Sequence, residues 1–134
     1  MNMILGGYVL NAEASRTQLH PVVNPDELKL KEYVEIFSSA EGVLAMKVDP
    51  EPDFGCVNLT MYSESGCYLL MMSDVIEDGS TNVRTLVDKD KEGGFVTFFG
   101  EPFPRRATTT NLNLIFNVFN EFLRGGAVSI DVMP

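Results

Sequence analysis

The feature that most constrains this fold is an amphipathic stretch near the C-terminal end of the chain, residues 110–125. Its large apolar residues recur at spacings of three and four, which places them on one face of a helix. They are Leu112, Ile115, Phe116, Phe119, Phe122 and Leu123. Burying such side chains contributes roughly 1.5–3 kcal/mol each before entropy is subtracted. The stripe therefore needs a large apolar partner, and the rest of the chain offers a sheet.

The ends of this helix are also indicated by the sequence. Thr109, Thr110 and Asn111 can each cap the first turn, because their side-chain oxygens accept hydrogen bonds from unpaired amides. Gly125 lies where a left-handed C-cap would end the helix, and Arg124 would face the negative end of the helix dipole.

An earlier helix is predicted to begin with Asn24 as its N-cap and Pro25 as its first residue. Val23 and Leu28 occupy the two positions of a hydrophobic staple, and residues 41–42 are expected to end the element. Its buried stripe would consist of Leu30, Tyr33, Val34 and Phe37.

The remaining apolar runs alternate with a period of two, which is typical of strands. They span residues 3–10, 43–48, 56–62, 67–72, 83–87 and 95–99. Residues 128–132 are either a short terminal strand or an extended tail, and residues 100–106 are expected to be a proline-stiffened link. Gly6 and Gly7 indicate a bulge or a close backbone approach in the first strand.

Short connections between successive strands favour an antiparallel meander. The prediction is one α+β domain over residues 1–134, with an antiparallel sheet of about five to seven strands and two amphipathic helices packed on one face.

The charge of the chain limits its partners. The sequence has 10 Lys+Arg against 19 Asp+Glu, a formal net charge of −9. Phosphates and anionic membranes attract positive charge, so we expect neither nucleic acid nor membrane as a partner. Encounter with a basic protein would be accelerated. No signal peptide or long apolar run is found, and a cytoplasmic location is expected.

Few residues point to chemistry. Cys56 and Cys67 form no CxxC pair and His20 is the single histidine, so no metal site and no cofactor is expected. Each cysteine lies in a strand-like run, where a small buried thiol is common, although a hairpin disulfide is conceivable in an oxidising compartment. No catalytic group is singled out, and we expect a protein that is not an enzyme. Carboxylates brought together from distant strands remain an alternative.

Three acidic segments stand out, and each is predicted to be a loop between strands. They are Asp49, Glu51 and Asp53; Asp74, Glu77 and Asp78; and Asp88, Asp90 and Glu92. If two of them converge, they form a negative patch for a basic partner. The alternative is that they are simply solvated loops. Arg105 and Arg106 precede the last helix at its positive end, so they need a partner, for which a carboxylate of this chain is favoured over an external anion.

Several segments carry a family resemblance. They are residues 5–9 (Leu-Gly-Gly-Tyr-Val), 58–70, 99–106 (Phe-Gly-Glu-Pro-Phe-Pro-Arg-Arg) and 126–131 (Gly-Ala-Val-Ser-Ile-Asp). In these segments the chain resembles a family of small bacterial immunity proteins that are encoded beside polymorphic and contact-dependent growth-inhibition toxins. It departs from that family at Phe103, where the family usually carries tryptophan.

The resemblance implies a cytoplasmic immunity protein that binds the C-terminal domain of one cognate toxin and blocks it. The acidic loops would pair with the toxin's basic active-site cleft or with a neighbouring exosite, and acidity favours a nuclease among toxin activities. Tyr62, Tyr68 and Phe103 are candidate anchors, with a core role as the alternative for each.

Two other functions stay open at this stage. One is a different acidic inhibitor or adaptor, such as a phage-encoded decoy for a nucleic-acid-binding host protein. The less favoured one is a small carboxylate-dependent enzyme, which predicts a deep pocket with carboxyl groups of shifted pKa.

Overall fold

The computed structural model describes residues 2–11, 13, 15–88, 90–129 and 131–134. Within them, the elements follow in the order β1 (Asn2–Leu10), β2 (Arg16–Gln18), β3 (Val22–Val23), α1 (Glu27–Ile36), β4 (Glu41–Asp49), β5 (Gly55–Glu64), β6 (Cys67–Val75), β7 (Thr81–Thr85), β8 (Phe95–Phe98), β9 (Glu101–Pro104), β10 (Thr108–Thr109) and α2 (Leu112–Gly125). A single 3-10 turn, Arg105–Ala107, joins β9 to β10.

The main sheet has eight antiparallel strands, and its four central strands lie in the order β6-β5-β4-β1. Each edge is shared by two short strands: β7 and β10 pair with β6, while β2 and β3 pair with β1. Short edge strands leave little unpaired backbone for pairing with other chains. The predicted meander is confirmed over β4–β7, where consecutive strands are hydrogen-bonded neighbours.

Both helices cover the same face of this sheet. Buried side chains of alternate strand positions meet those of the helices in one core: Met3, Leu5, Leu44, Met46, Leu59, Met61, Leu70 and Met72 from the sheet, Leu30, Val34 and Phe37 from α1 and its C-cap, and Ile115, Val118, Phe119 and Phe122 from α2. The strand register places these side chains on one face of the sheet. Leu5 is paired with Met46 and Met46 with Leu59 across neighbouring strands, so all three point to the same side. The α+β class and the position of the two helices are confirmed.

The start of α1 differs from the prediction. Asp26 is the N-cap, and its side chain accepts a hydrogen bond from the Lys29 amide at 2.7 Å. Asn24 instead has a positive φ of 50° and its Oδ1 accepts from the Met3 amide, which ties it to β1. The expected staple does not form, because Val23 and Leu28 are 57% and 68% exposed.

The C-terminal ends of both helices differ from the predictions, whereas the start of α2 is confirmed at one of its three predicted caps. Helix α1 ends at Ile36 with Phe37 as its C-cap, and residues 41–42 begin β4 rather than end the helix. Asn111 is the N-cap of α2, and its Oδ1 accepts from the Leu114 amide at 3.1 Å. Gly126, with a φ of 69°, is the left-handed C-cap, and Gly125 is the last helical residue.

The region after β7 also differs. Strand β8 leaves the meander and pairs with β9, which lies in the segment predicted as a link. This β8–β9 hairpin packs on the face of the main sheet that carries no helix, where Leu69, Phe98 and Ala107 form a small second core. At the C-terminal end, the Val132 and Met133 amides donate to the Ser129 carbonyl in a turn, and the predicted strand over residues 128–132 includes one position outside the described residues.

Gly7 makes the close backbone approach that was predicted as one alternative. Its φ is +153°, and a Cβ at this position would lie 2.1 Å from the Val43 carbonyl oxygen on β4. Likewise, a Cβ on Gly42 of β4 would lie 2.2 Å from the Tyr8 carbonyl oxygen. The pairing of β1 with β4 runs without a register shift, so no bulge occurs here. In the described residues, neither helix is long and apolar enough to cross a membrane.

Candidate functional site

Two of the three acidic segments lie at the same end of the sheet. Residues 50–54 connect β4 to β5, and residues 76–80 connect β6 to β7. Because Gly55 is paired with Val75, the two connections leave the sheet side by side. A shallow groove of about 560 Å³ lies between them, lined by Phe54, Val75, Ile76 and Glu77.

We call this region the sheet-end patch: the groove-lining residues together with the exposed carboxylates of the same two connections, Glu51, Asp53 and Asp78. Its apolar centre is unusually accessible for large side chains, with Phe54 64% and Ile76 45% exposed. Asp49, at the end of β4, is exposed beside it. Hydrogen bonds from the Ser80 side chain and backbone lower the pKa of Asp78, which is therefore ionised at neutral pH.

Asp74 does not contribute a free carboxylate to this patch. It forms an ion pair with Arg84 on the neighbouring strand, with Nε and Oδ2 2.7 Å apart and only 15–16% of the two side chains exposed. The same guanidinium donates to the Met133 carbonyl oxygen at 3.1 Å. The predicted partner-binding role of Asp74 is therefore replaced by a structural one, joining β6, β7 and the C-terminal end.

The third acidic segment lies elsewhere. Residues 86–88 and Asp90 lie beside β10 and the start of α2, and the Asp88 amide donates to the Arg106 carbonyl oxygen at 2.7 Å. Asp88 and Asp90 line a separate groove there with Asn111. Asp90 and Glu92 are exposed, but they are not part of the sheet-end patch.

A second surface forms between the β8–β9 hairpin and the sheet. This aromatic groove has a volume of about 420 Å³ and is lined by Tyr62, Leu69, Met71, Phe98, Phe99, Glu101 and Phe103. Two of the three candidate anchors, Tyr62 and Phe103, thus lie together, although far from the sheet-end patch. Phe54 directly precedes β5 and Tyr62 lies eight positions further along the chain, about 26 Å at the rise of an extended chain.

The third candidate anchor belongs to the core. Tyr68 is 3% exposed, and its hydroxyl donates to the Phe37 carbonyl oxygen at 2.9 Å. A side chain this deeply buried beneath the helices cannot contact a partner. Successive side chains of a strand point to opposite faces of the sheet, so Tyr68 faces the helices and Leu69 faces the other side.

The two cysteines are free thiols at opposite ends of the β5–β6 hairpin, since Cys56 is opposed to Asp74 and Cys67 to Glu64. Burial, with a smaller effect of the hydrogen bond to Asp74, raises the pKa of the Cys56 thiol. That thiol is therefore protonated at neutral pH and weakly nucleophilic. Among the described residues, no group of three His, Cys, Asp or Glu side chains is arranged to hold a metal ion.

The two arginines before α2 have a different environment from the one expected. They belong to the 3-10 turn Arg105–Ala107, and β10 follows them before α2 begins. Arg106 donates through Nε to the Lys91 carbonyl oxygen at 3.0 Å, and within the described part of the chain neither arginine pairs with a carboxylate.

Sequence reasoning missed Phe54, Ile76 and Phe99, which contribute the exposed apolar surface of the two sites. A signal was available for the first two, because each is a large apolar residue within an acidic connection between strands. Phe99 directly precedes a glycine at a strand end, which is a hairpin signal when the following segment is extended.

Comparisons with other proteins identify relatives without an assigned role. A family of unknown function (DUF6911) matches residues 2–132 of the chain. The crystal structure of a hypothetical protein from Neisseria gonorrhoeae is similar, with 26% sequence identity, a TM-score of 0.85, and coverage of 96% of this chain and 90% of that chain. A search of curated proteins finds no match.

Proposed function

The chain belongs to the DUF6911 family, and we propose from its surfaces that it is a bacterial immunity protein that binds and neutralises one basic toxin domain in the cytoplasm. The observation that supports this most directly is the sheet-end patch, where exposed Phe54 and Ile76 are surrounded by carboxylates.

The composition of the patch suits protein binding. Tight interfaces combine a few apolar or aromatic anchors, which lose their water on binding, with a charged rim that remains hydrated. Phe54 and Ile76 supply the anchors, and burying either side chain fully is worth roughly 1.5–3 kcal/mol. Glu51, Asp53 and Asp78 supply the rim.

The charge of the patch selects the partner. None of the described residues that line its groove is a lysine or arginine, and the whole chain carries a net charge of −9. A basic surface would therefore be attracted over a distance and would bind faster than a neutral one. Toxins that cleave nucleic acids carry basic clefts, because their substrates are polyanions. Covering such a cleft, or an exosite beside it, would neutralise the toxin.

The test is binding of the purified protein to the product of the adjacent upstream reading frame, measured by titration calorimetry at low and at high salt. We expect a stoichiometric complex whose affinity falls as salt is raised, because the exposed rim charges are screened. Phe54→Ala is expected to weaken the complex at both salt concentrations, by roughly 1–3 kcal/mol for the loss of an apolar anchor.

A matched pair of variants separates local charge from net charge. Asp53→Asn combined with Glu77→Gln removes two charges from the patch, whereas Asp90→Asn combined with Glu92→Gln removes two from the segment beside α2. The first pair should slow association clearly more than the second. Equal effects would refute a local role of the patch. No binding to the upstream product would refute the cognate-toxin proposal, and binding to a nucleic-acid-binding protein instead would favour a decoy.

A further inference from the structure

We propose that the aromatic groove is a binding site for a cationic side chain, an arginine or a lysine that a partner protein presents. This goes beyond the function proposed above, which concerns the opposite end of the sheet. The proposal rests on four aromatic rings that line the groove together with the carboxylate of Glu101, while none of the described lining residues is basic. The rings are those of Tyr62, Phe98, Phe99 and Phe103.

The rings form walls of different orientation around one space. Tyr62 and Phe99 lie edge to face, with ring centroids 6.3 Å apart and an angle of 65°. Phe98 and Phe103 repeat this arrangement at 6.3 Å and 89°. Aromatic ring faces carry partial negative charge, and several rings around one space attract an ammonium or guanidinium group. At about 420 Å³, the groove lies within the range of roughly 300–1,000 Å³ found for ligand sites.

The charges around the groove favour a cation over a neutral apolar group. Glu101 lines it directly. The Glu64 carboxylate lies close by, because it accepts a hydrogen bond from the Phe99 amide at 2.5 Å. An anion would be repelled here, and an aliphatic side chain would gain no attraction from the Glu101 carboxylate, whereas a cation would.

The backbone at Phe99 is a second, independent observation. Phe99 and Gly100 connect β8 to β9 and have φ values of +50° and +85°. Two-residue hairpin turns of this kind favour Asn, Asp or Gly at the first position, so a bulky aromatic residue there is a backbone outlier. Such strain concentrates at sites of function. Its consequence is that the ring, 44% exposed, is held against Tyr62 at the side of the groove.

The test uses N-acetyl-arginine amide as the probe, titrated into the intact protein and followed by NMR of the aromatic rings. The control probe is N-acetyl-norleucine amide, which has an aliphatic chain of similar length and no charge. We expect saturable shifts of the Tyr62, Phe99 and Phe103 ring signals with the arginine probe, and binding weaker by at least about fivefold with norleucine. Equal affinity for the two probes, or no shift at these rings, would overturn the proposal.

Two phenylalanines of the same hairpin make a matched pair of variants. Phe99→Asn removes a wall of the groove while placing at φ +50° a residue that tolerates this conformation, so the fold should be kept. Phe95→Asn changes a residue that is 70% exposed and does not line the groove. Arginine-probe binding should weaken by at least about fivefold in the first variant and stay unchanged in the second. Unchanged binding in Phe99→Asn, with a native backbone spectrum, would refute the site.

The charge contribution is tested separately by Glu101→Gln, which keeps the shape of the side chain. We expect weaker binding of the arginine probe and unchanged binding of the norleucine probe, whereas equal losses for both would contradict the electrostatic part. The small amide probe tests only the aromatic groove, so a negative result with it does not bear on the sheet-end patch. A negative result in the toxin titration likewise does not refute the proposal for the aromatic groove.

Discussion

Replacing Gly7 with alanine should weaken the pairing of β1 with β4, and the structure allows the size of the effect to be estimated. A Cβ at this position would lie 2.1 Å from the Val43 carbonyl oxygen and 3.0 Å from the Leu44 Cα, both of them backbone atoms that cannot rotate away. The positive φ costs a non-glycine residue about 1–2 kcal/mol. Overpacking against a fixed neighbour costs about 1–3 kcal/mol more. The free energy of unfolding should therefore fall by about 2–5 kcal/mol.

The neighbouring glycine provides the control. A Cβ on Gly6 would meet nothing within 4 Å, so Gly6→Ala should leave the free energy of unfolding within about 0.5 kcal/mol of wild type or raise it slightly. In urea titrations followed by circular dichroism, a slope of about 2 kcal/mol per M converts the expected loss in Gly7→Ala to a midpoint lower by about 1–2.5 M. A midpoint equal to that of Gly6→Ala would refute the close-approach reasoning.

Three further outcomes are expected in urea titrations. Tyr68→Phe leaves the Phe37 carbonyl oxygen without its donor and should lower the free energy of unfolding by about 1–3 kcal/mol. A loss near zero would mean that this hydrogen bond does not contribute to stability. Asp74→Asn breaks the ion pair with Arg84, in which 15–16% of the two side chains is exposed, and should lower the free energy of unfolding by about 1–3 kcal/mol, less than the loss of a fully buried pair. In a double-mutant cycle, Asp74→Asn and Arg84→Gln should show a clear coupling energy, and strictly additive effects would argue against the pair. Burial raises the pKa of the Cys56 thiol above its ordinary value of 9.0, so the folded protein keeps a proton that the unfolded chain releases. The contribution of this thiol to stability should be constant well below pH 9.0 and fall as the pH rises through that value, and a Cys56→Ala variant with the same alkaline loss would contradict this.

Much of the fold was predictable because it follows from patterns within short segments. The three-and-four spacing of α2 requires a helix, and the period of two identifies β1 and β4–β7, since each pattern sends its apolar side chains to one side. Four short strands, β2, β3, β9 and β10, escaped prediction. They have two to four residues each and exist because a neighbouring strand offers them hydrogen bonds, not because their own sequence is strongly alternating.

The candidate sites were less accessible to sequence reasoning. All three acidic segments look alike in the sequence, yet two flank Phe54 and Ile76, and the third lies beside α2. Asp74 resembles the other carboxylates until β7 places Arg84 opposite it. The acidic residues have the same side chains and similar spacings in all three segments, so the sequence does not distinguish their roles. Those roles depend on which strands become neighbours in the sheet.

By itself, the sequence determined an α+β domain with two helices on one face of an antiparallel sheet, because local periodicity and the need to bury apolar stripes leave few other arrangements. The tertiary structure alone decided that Tyr68 is buried while Tyr62 lines a groove, and that the β8–β9 hairpin covers the opposite face. A change of one position along a strand moves a side chain from one face to the other, and contacts between distant segments arise only when the sheet assembles.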